Sequence, residues 1–141
     1  MNSLQARLTS LSPWFLALLR VMAALLLISH GTMKLLGFPA SDFQPPLFSL
    51  FGLAGVIEIT GGLLLVLGLF TRPAAFILSG ETAAAYFIAH APQSFFPLQN
   101  GGESAVLFSF TFLYLVFAGP GAVAVDNLRA GGTRMAMQRA G

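Results

Sequence analysis

The sequence contains no cysteine and few charged residues. Its 141 residues include seven Lys and Arg and five Asp and Glu, so 9% are charged, whereas an average soluble domain is about 25% charged. The lack of cysteine excludes disulfides, thiolate metal sites, iron–sulfur clusters held by this chain and thiol redox centres. The small number of charges excludes a disordered chain and argues against a soluble protein, because twelve such side chains cannot cover its surface with polar groups.

Apolar residues make up 56% of the sequence. They form four long segments, at residues 14–36, 48–70, 74–91 and 104–125. About 20 helical residues cross a hydrocarbon core, and lipid leaves backbone polar groups no other partner than the helix itself. The sequence therefore predicts an all-α, four-helix transmembrane bundle. It forms a single domain over residues 1–130, followed by a mobile basic tail at 131–141.

The basic residues predict the orientation of this bundle. Connections 37–47 and 92–103 contain no Lys or Arg, and these two connections share one side of the membrane. Five of the seven basic residues belong to the other side: Arg7, Arg72, Arg129, Arg134 and Arg139. The positive-inside rule then predicts that both termini are cytoplasmic, in a multi-pass protein of the inner (cytoplasmic) membrane.

Ionisable groups inside the apolar segments are costly and need a partner or a function. Arg20, Glu58 and Glu81 are expected near the middle of the membrane together with Tyr114, as a buried polar cluster. One arginine can pair with only one carboxylate, so we expect the other carboxyl group to be neutral. A structural ion cluster and a proton-handling or ligand-binding role both fit this pattern.

A second polar group is predicted closer to the outer surface. His30 and Lys34 are one helical turn apart on the same stripe of the first helix as Arg20. The predicted outer pocket comprises His30, Lys34, Asn100 and Glu103. The alternatives are snorkelling of His30 and Lys34 to the interface and capping of the fourth helix by Glu103. His90 falls on the opposite face of a regular helix from Glu81, and no metal site is expected.

Several short motifs together resemble the DoxX family, over about residues 15–128. They are His30-Gly31, Lys34-Leu35, Glu58, Gly61-Gly62, Gly68-Leu69, Thr71-Arg72-Pro73-Ala74-Ala75, Asn100-Gly101-Gly102-Glu103, Leu113-Tyr114, Gly119-Pro120-Gly121 and Asp126. The resemblance implies a small bacterial or archaeal membrane protein with four helices. The family takes its name from a subunit associated with a thiosulfate:quinone oxidoreductase, and some members are linked to membrane oxidoreductase complexes.

This resemblance favours a non-catalytic accessory subunit of a membrane oxidoreductase or quinone-linked system. Because the sequence has no redox centre of its own, electrons would reside on a bound quinone or on a partner. The expected partners are lipid, oxidoreductase proteins and further copies of the chain, and nucleic acid is not expected. The alternatives are a module that binds or transports a small lipophilic or anionic ligand, and a quinone-linked enzyme that uses Glu58 or Glu81 as proton donor.

Overall fold

A computed structural model of the protein describes residues 3–131, and this part of the chain is all-helical, without strands. The helices are α1 (Ser3–Leu36), α2 (Leu50–Leu67), α3 (Thr71–Ala85), α4 (Pro97–Asn100) and α5 (Glu103–Ala118). A π-helical turn at Tyr86–His90 continues α3, and residues 125–131 are again helical. The predicted helical class is confirmed, whereas the expected mobile tail lies outside the described residues except for Gly131.

Two helices are long and apolar enough to cross a membrane by length and composition, namely α1 and α2. The apolar helix α5 has 16 residues and rises about 24 Å, which is less than a hydrocarbon core of about 30 Å. Helix α3 has 15 residues and approaches the thickness of the hydrocarbon core only together with the five residues of its π-helical turn. The membrane-helix character of the sequence is therefore clearest in the first half of the chain.

Two helix ends differ most from the predicted ones, because the helix and its apolar segment do not end at the same residue. Helix α1 begins at Ser3 rather than at 14, and Pro13 lies inside it. Helix α5 ends at Ala118 rather than at 125, because Gly119 has a positive φ of 83° and Pro120 cannot continue the hydrogen-bond ladder. Hydropathy marks the apolar part of a helix and does not report how far the helix continues beyond it.

Helix α1 packs closely against α2 because glycines line their contact. A methyl group on Gly31 would lie 2.7 Å from Ile59 Cγ1, and one on Gly62 would lie 2.5 Å from Ile28 Cγ1. Helix α3 packs against both α5 and α2. The side chains buried between these helices are mainly small or aliphatic and include Ala24, Leu27, Leu65, Ala75, Leu78, Phe112 and Leu115.

The outward faces of the same helices are strongly apolar. Leu18 is 55% exposed on α1, Leu63 is 51% exposed on α2, and Phe110 is 66% exposed on α5. A soluble protein rarely exposes apolar side chains of this size in continuous patches. Lipid is the solvent that matches such a surface.

Candidate functional site

The helices line a large, partly open cavity towards the C-terminal end of α1. It has a volume of about 940 Å³, within the range of about 300–1,000 Å³ typical of small-molecule sites. Helices α1, α2, α3 and α5 and the π-helical turn all contribute to its walls. Most lining residues are apolar; the ionisable ones are His30, Lys34, Glu58, Glu81 and His90. The cavity therefore combines apolar walls with a small group of acids and bases.

A buried ion pair lies at the centre of this polar group. Lys34 Nζ is 2.6 Å from Glu58 Oε1, and the two side chains are 11% and 5% exposed. Charged hydrogen bonds of this kind are short and strong when water is excluded. The second carboxylate oxygen, Glu58 Oε2, is buried without a hydrogen-bond partner among the described residues.

Glu81 lies across the cavity on α3. Both of its carboxylate oxygens are buried, and neither has a hydrogen-bond partner within residues 3–131. Its carboxyl group interacts electrostatically with both Glu58 and Lys34. Three acidic or basic groups thus share one space, and three carboxylate oxygens have no hydrogen-bond donor from the described protein.

The two histidines approach the cavity in different ways. His30 packs edge-on against Phe108, with 5.8 Å between the ring centroids. His90 also lines the cavity, although a regular helix would turn it away from Glu81. The π-helical turn at Tyr86–His90 supplies the difference, because its wider winding rotates the end of the helix. The sequence contains no signal that identifies this turn.

Asn100 is buried and orders the loop beside the cavity without lining it. Its side-chain Nδ2 donates to Ser94 O at 2.8 Å, and its Oδ1 accepts from Gly102 N at 2.8 Å. Its backbone carbonyl lies 3.0 Å from His90 Nδ1. Asn100 therefore positions His90 and the start of α5, a supporting role different from the predicted contact with a ligand.

The predicted positions of Glu103 and Tyr114 are wrong. Both side chains are exposed on α5, Tyr114 by 57%, and neither lines the cavity. The two residues share one helix face, as their spacing predicts, but that face points outwards. Matching the depth of a residue in the membrane does not tell which side of its helix faces the neighbours.

The expected association of Arg20 with Glu58 and Glu81 is also wrong. Arg20 is 1% exposed, and its guanidinium donates to the backbone carbonyls of Pro120 and, at 2.6 Å, Val123. The break in helix after Ala118 leaves these carbonyls without intrahelical donors. An arginine has five donors in a fixed plane and satisfies such groups well. Lys34, not Arg20, supplies the cation that Glu58 needs.

Asp126 lies at the opposite end of the helices from the cavity, where its charge interacts with that of Arg20. Its two carboxylate oxygens accept from Phe70 N at 2.9 Å and Thr71 N at 2.8 Å, at the start of α3. Partial burial acts to raise the pKa of Asp126. The hydrogen bonds from Thr71 and Phe70 and the charge of Arg129 together lower it by more than burial raises it. The net pKa lies below its ordinary value, because the folded state favours the carboxylate.

The Lys34–Glu58 pair was not predicted, although the glycines of α1 and α2 indicate it. Gly31 and Gly55 allow α1 and α2 to approach so closely that a methyl group on Gly55 would lie 3.3 Å from Lys34 Cβ. At this distance the long lysine side chain reaches along α2 to Glu58. In the described part of the chain, no group of three or more His, Asp or Glu side chains is arranged to hold a metal ion.

Comparisons with known proteins agree with the sequence motifs. The family model described as DoxX matches residues 15–91. A Haemophilus influenzae protein named "Uncharacterized protein" is 53% identical over 125 residues, which cover 82% of this chain and 90% of that protein. No solved structure matches the chain.

Proposed function

This chain belongs to the membrane-associated DoxX family, and we propose that it binds a quinone-like ligand in the cavity. In this proposal it acts as a non-catalytic accessory subunit of a membrane oxidoreductase. The observation that carries the proposal is the cavity itself, whose apolar walls fit a lipophilic ring and whose Lys34 can donate hydrogen bonds to its oxygens. Partner proteins would supply the redox centres, because the chain has no cysteine.

The proposal includes the arrangement in the membrane. Helices α1, α2, α3 and α5 form a four-helix transmembrane bundle, with both termini on the cytoplasmic side of the inner membrane. The outward apolar faces and the distribution of Lys and Arg support it. The cavity then lies towards the outer side, since the C-terminal half of α1 lines it.

Quinone binding can be measured with the purified protein in lipid nanodiscs, using duroquinone as the probe. We expect saturable binding at one site per chain. Ala54 lines the cavity, so Ala54→Trp should fill it and weaken binding at least about tenfold. Leu63 on the same helix is 51% exposed and away from the cavity, so Leu63→Trp is the matched control and should bind normally. Equal binding by the two variants would contradict the proposal.

A second experiment separates the accessory role from the alternatives. Solvent extraction of the purified protein followed by mass spectrometry should release a quinone. Release of a different lipophilic molecule would favour the binding or transport module, which the paired charges in the cavity also support. Quinone-dependent turnover by the isolated chain would instead favour a stand-alone enzyme.

A further inference from the structure

The cavity contains more hydrogen-bond acceptors than its own donors satisfy. Glu58 Oε2, Glu81 Oε1 and Glu81 Oε2 are buried and have no hydrogen-bond partner among residues 3–131. The whole of Glu58 is 4% exposed, so bulk water does not reach it freely. Buried carboxylate oxygens of this kind need donors from whatever occupies the cavity.

Protonation alone does not remove this excess. A proton on one carboxyl group would turn one of the three oxygens into a donor, and the other two would remain acceptors. Lys34 is already bonded to Glu58 Oε1 at 2.6 Å. In either protonation state, at least two buried acceptor oxygens on residues that line the cavity therefore have no partner among residues 3–131.

The neighbouring polar side chains leave both carboxylate oxygens of Glu81 without a donor. Thr82 Oγ1 donates to Leu78 O at 2.7 Å, and Gln93 Nε2 donates to Ala89 O at 2.9 Å, each to a carbonyl four residues earlier in the chain. His90 Nδ1 lies 3.0 Å from Asn100 O, and His30 packs on Phe108. None of these groups bonds Glu81, although all four side chains line the cavity.

We infer that the cavity selects ligands whose polar head carries a hydrogen-bond donor, so that it holds the hydroquinone form in preference to the quinone. This inference rests on the proposed function and specifies its ligand class. A quinone presents only acceptor oxygens. An ionised Glu81 cannot bond them, and a protonated Glu81 can donate one hydrogen to them but leaves its second oxygen and Glu58 Oε2 without a donor. A phenolic hydroxyl donates its hydrogen to Glu81 or Glu58, and its oxygen still accepts from Lys34. Glu81 is then the residue that distinguishes the two forms.

The test compares three ligands that share one ring. Duroquinol has donors, whereas duroquinone and the dimethyl ether of duroquinol have only acceptors. Binding to the protein in lipid nanodiscs is measured under anaerobic conditions, with reductant present for the quinol. We expect duroquinol to bind about tenfold more tightly than either of the others, because each of them loses a charged hydrogen bond.

Glu81→Gln tests the residue itself. The amide offers N–H donors where the carboxylate offers none, so the preference for duroquinol should fall about tenfold while duroquinone still binds. Retained duroquinone binding also shows that this variant is folded. Glu103→Gln makes the same change at an exposed site outside the cavity and should leave the preference unchanged.

The outcomes separate the inference from the proposed function. Equal binding of all three ligands by the unmodified protein, or a preference for duroquinone, would overturn the inference and leave quinone binding standing. Binding of none of the three would overturn both. An unchanged preference in Glu81→Gln would overturn the assignment of Glu81 even if duroquinol binds most tightly.

Discussion

Asp126 stabilises the start of α3, although it lies 55 residues further along the chain. Phe70 precedes α3 with a left-handed backbone, at φ 49°, and gives no side-chain cap. The carboxylate of Asp126 replaces that cap by accepting from the first two backbone N–H groups. A negative charge at this position is also favoured by the helix dipole.

Replacement of Asp126 should therefore destabilise the protein in a pH-dependent way. Asp126→Ala should lower the free energy of unfolding by about 1–2 kcal/mol at pH 7, the usual effect of losing a charged cap. The folded state lowers the pKa of Asp126 below its ordinary 3.8. The stabilisation is thus fully present above that value and is lost as the pH falls through the lower, folded value.

Denaturant unfolding in detergent micelles, followed by circular dichroism between pH 7 and pH 3, measures this difference. The difference in free energy of unfolding between the unmodified protein and Asp126→Ala should be smaller at pH 3 than at pH 7. Asp42 is exposed, and Asp42→Ala should have little effect at any pH. A gap of the same size at both ends of the pH range would show that the charge of Asp126 is not what stabilises α3.

The charged residues inside the helices could be predicted to need partners, but the partners themselves could not be predicted. Residue type and hydropathy identify Arg20, Lys34, Glu58 and Glu81 as groups that need partners. They do not identify which backbone carbonyls become free. Arg20 bonds the carbonyls of residues 120 and 123, and these become available only through the way the chain turns after α5.

At the scale of the helices, the contact between α1 and α2 depends on residues without side chains. A methyl group on Gly31 would lie 2.8 Å from the backbone oxygen of Gly55. A side chain can rotate away from such a contact, whereas a backbone oxygen cannot unless the helices separate. Gly31 therefore sets the distance across which Lys34 reaches Glu58.

We expect Gly31→Ala to destabilise the protein by about 1–3 kcal/mol, the usual cost of overpacking a tight contact. Gly80 provides the matched control on α3, because a methyl group there would have no neighbour within 4 Å. Gly80→Ala should be neutral, or stabilising by up to about 1 kcal/mol through its better helix propensity. Thermal unfolding of both variants in the same detergent compares them. Equal stability would contradict a close α1–α2 contact.

Most helices were predictable because their apolar segments are long and their ends carry Gly or Pro. Gly68 ends α2 with a left-handed backbone, and Gly119 ends α5. The start of α1 at Ser3 and the π-helical turn before His90 were not predictable, since neither changes hydropathy. The second of these features brings His90 to the cavity, so the full set of acids and bases there could not be deduced from the sequence.

At the scale of the whole molecule, the helices differ in length relative to the thickness of a membrane. Helices α1 and α2 pass the length and hydropathy criteria, whereas α3 and α5 are shorter. Yet α3 and α5 pack together and against α1 and α2, and all four expose apolar side chains. The proposed four-helix arrangement therefore places α3 and α5 in the same lipid layer as the two helices that are long and apolar enough to span it.

Reporter fusions distinguish four crossings from two. Alkaline phosphatase, which is active only outside the cytoplasm, can be fused after Asp42, after Gln93 and after Arg139. Four crossings with cytoplasmic termini predict activity at the first two positions and none at the third, because the basic residues favour the cytoplasm. Green fluorescent protein fused at the same positions should give the opposite pattern. If only α1 and α2 crossed, the fusion after Gln93 would be silent, and activity after Arg139 would contradict the predicted orientation.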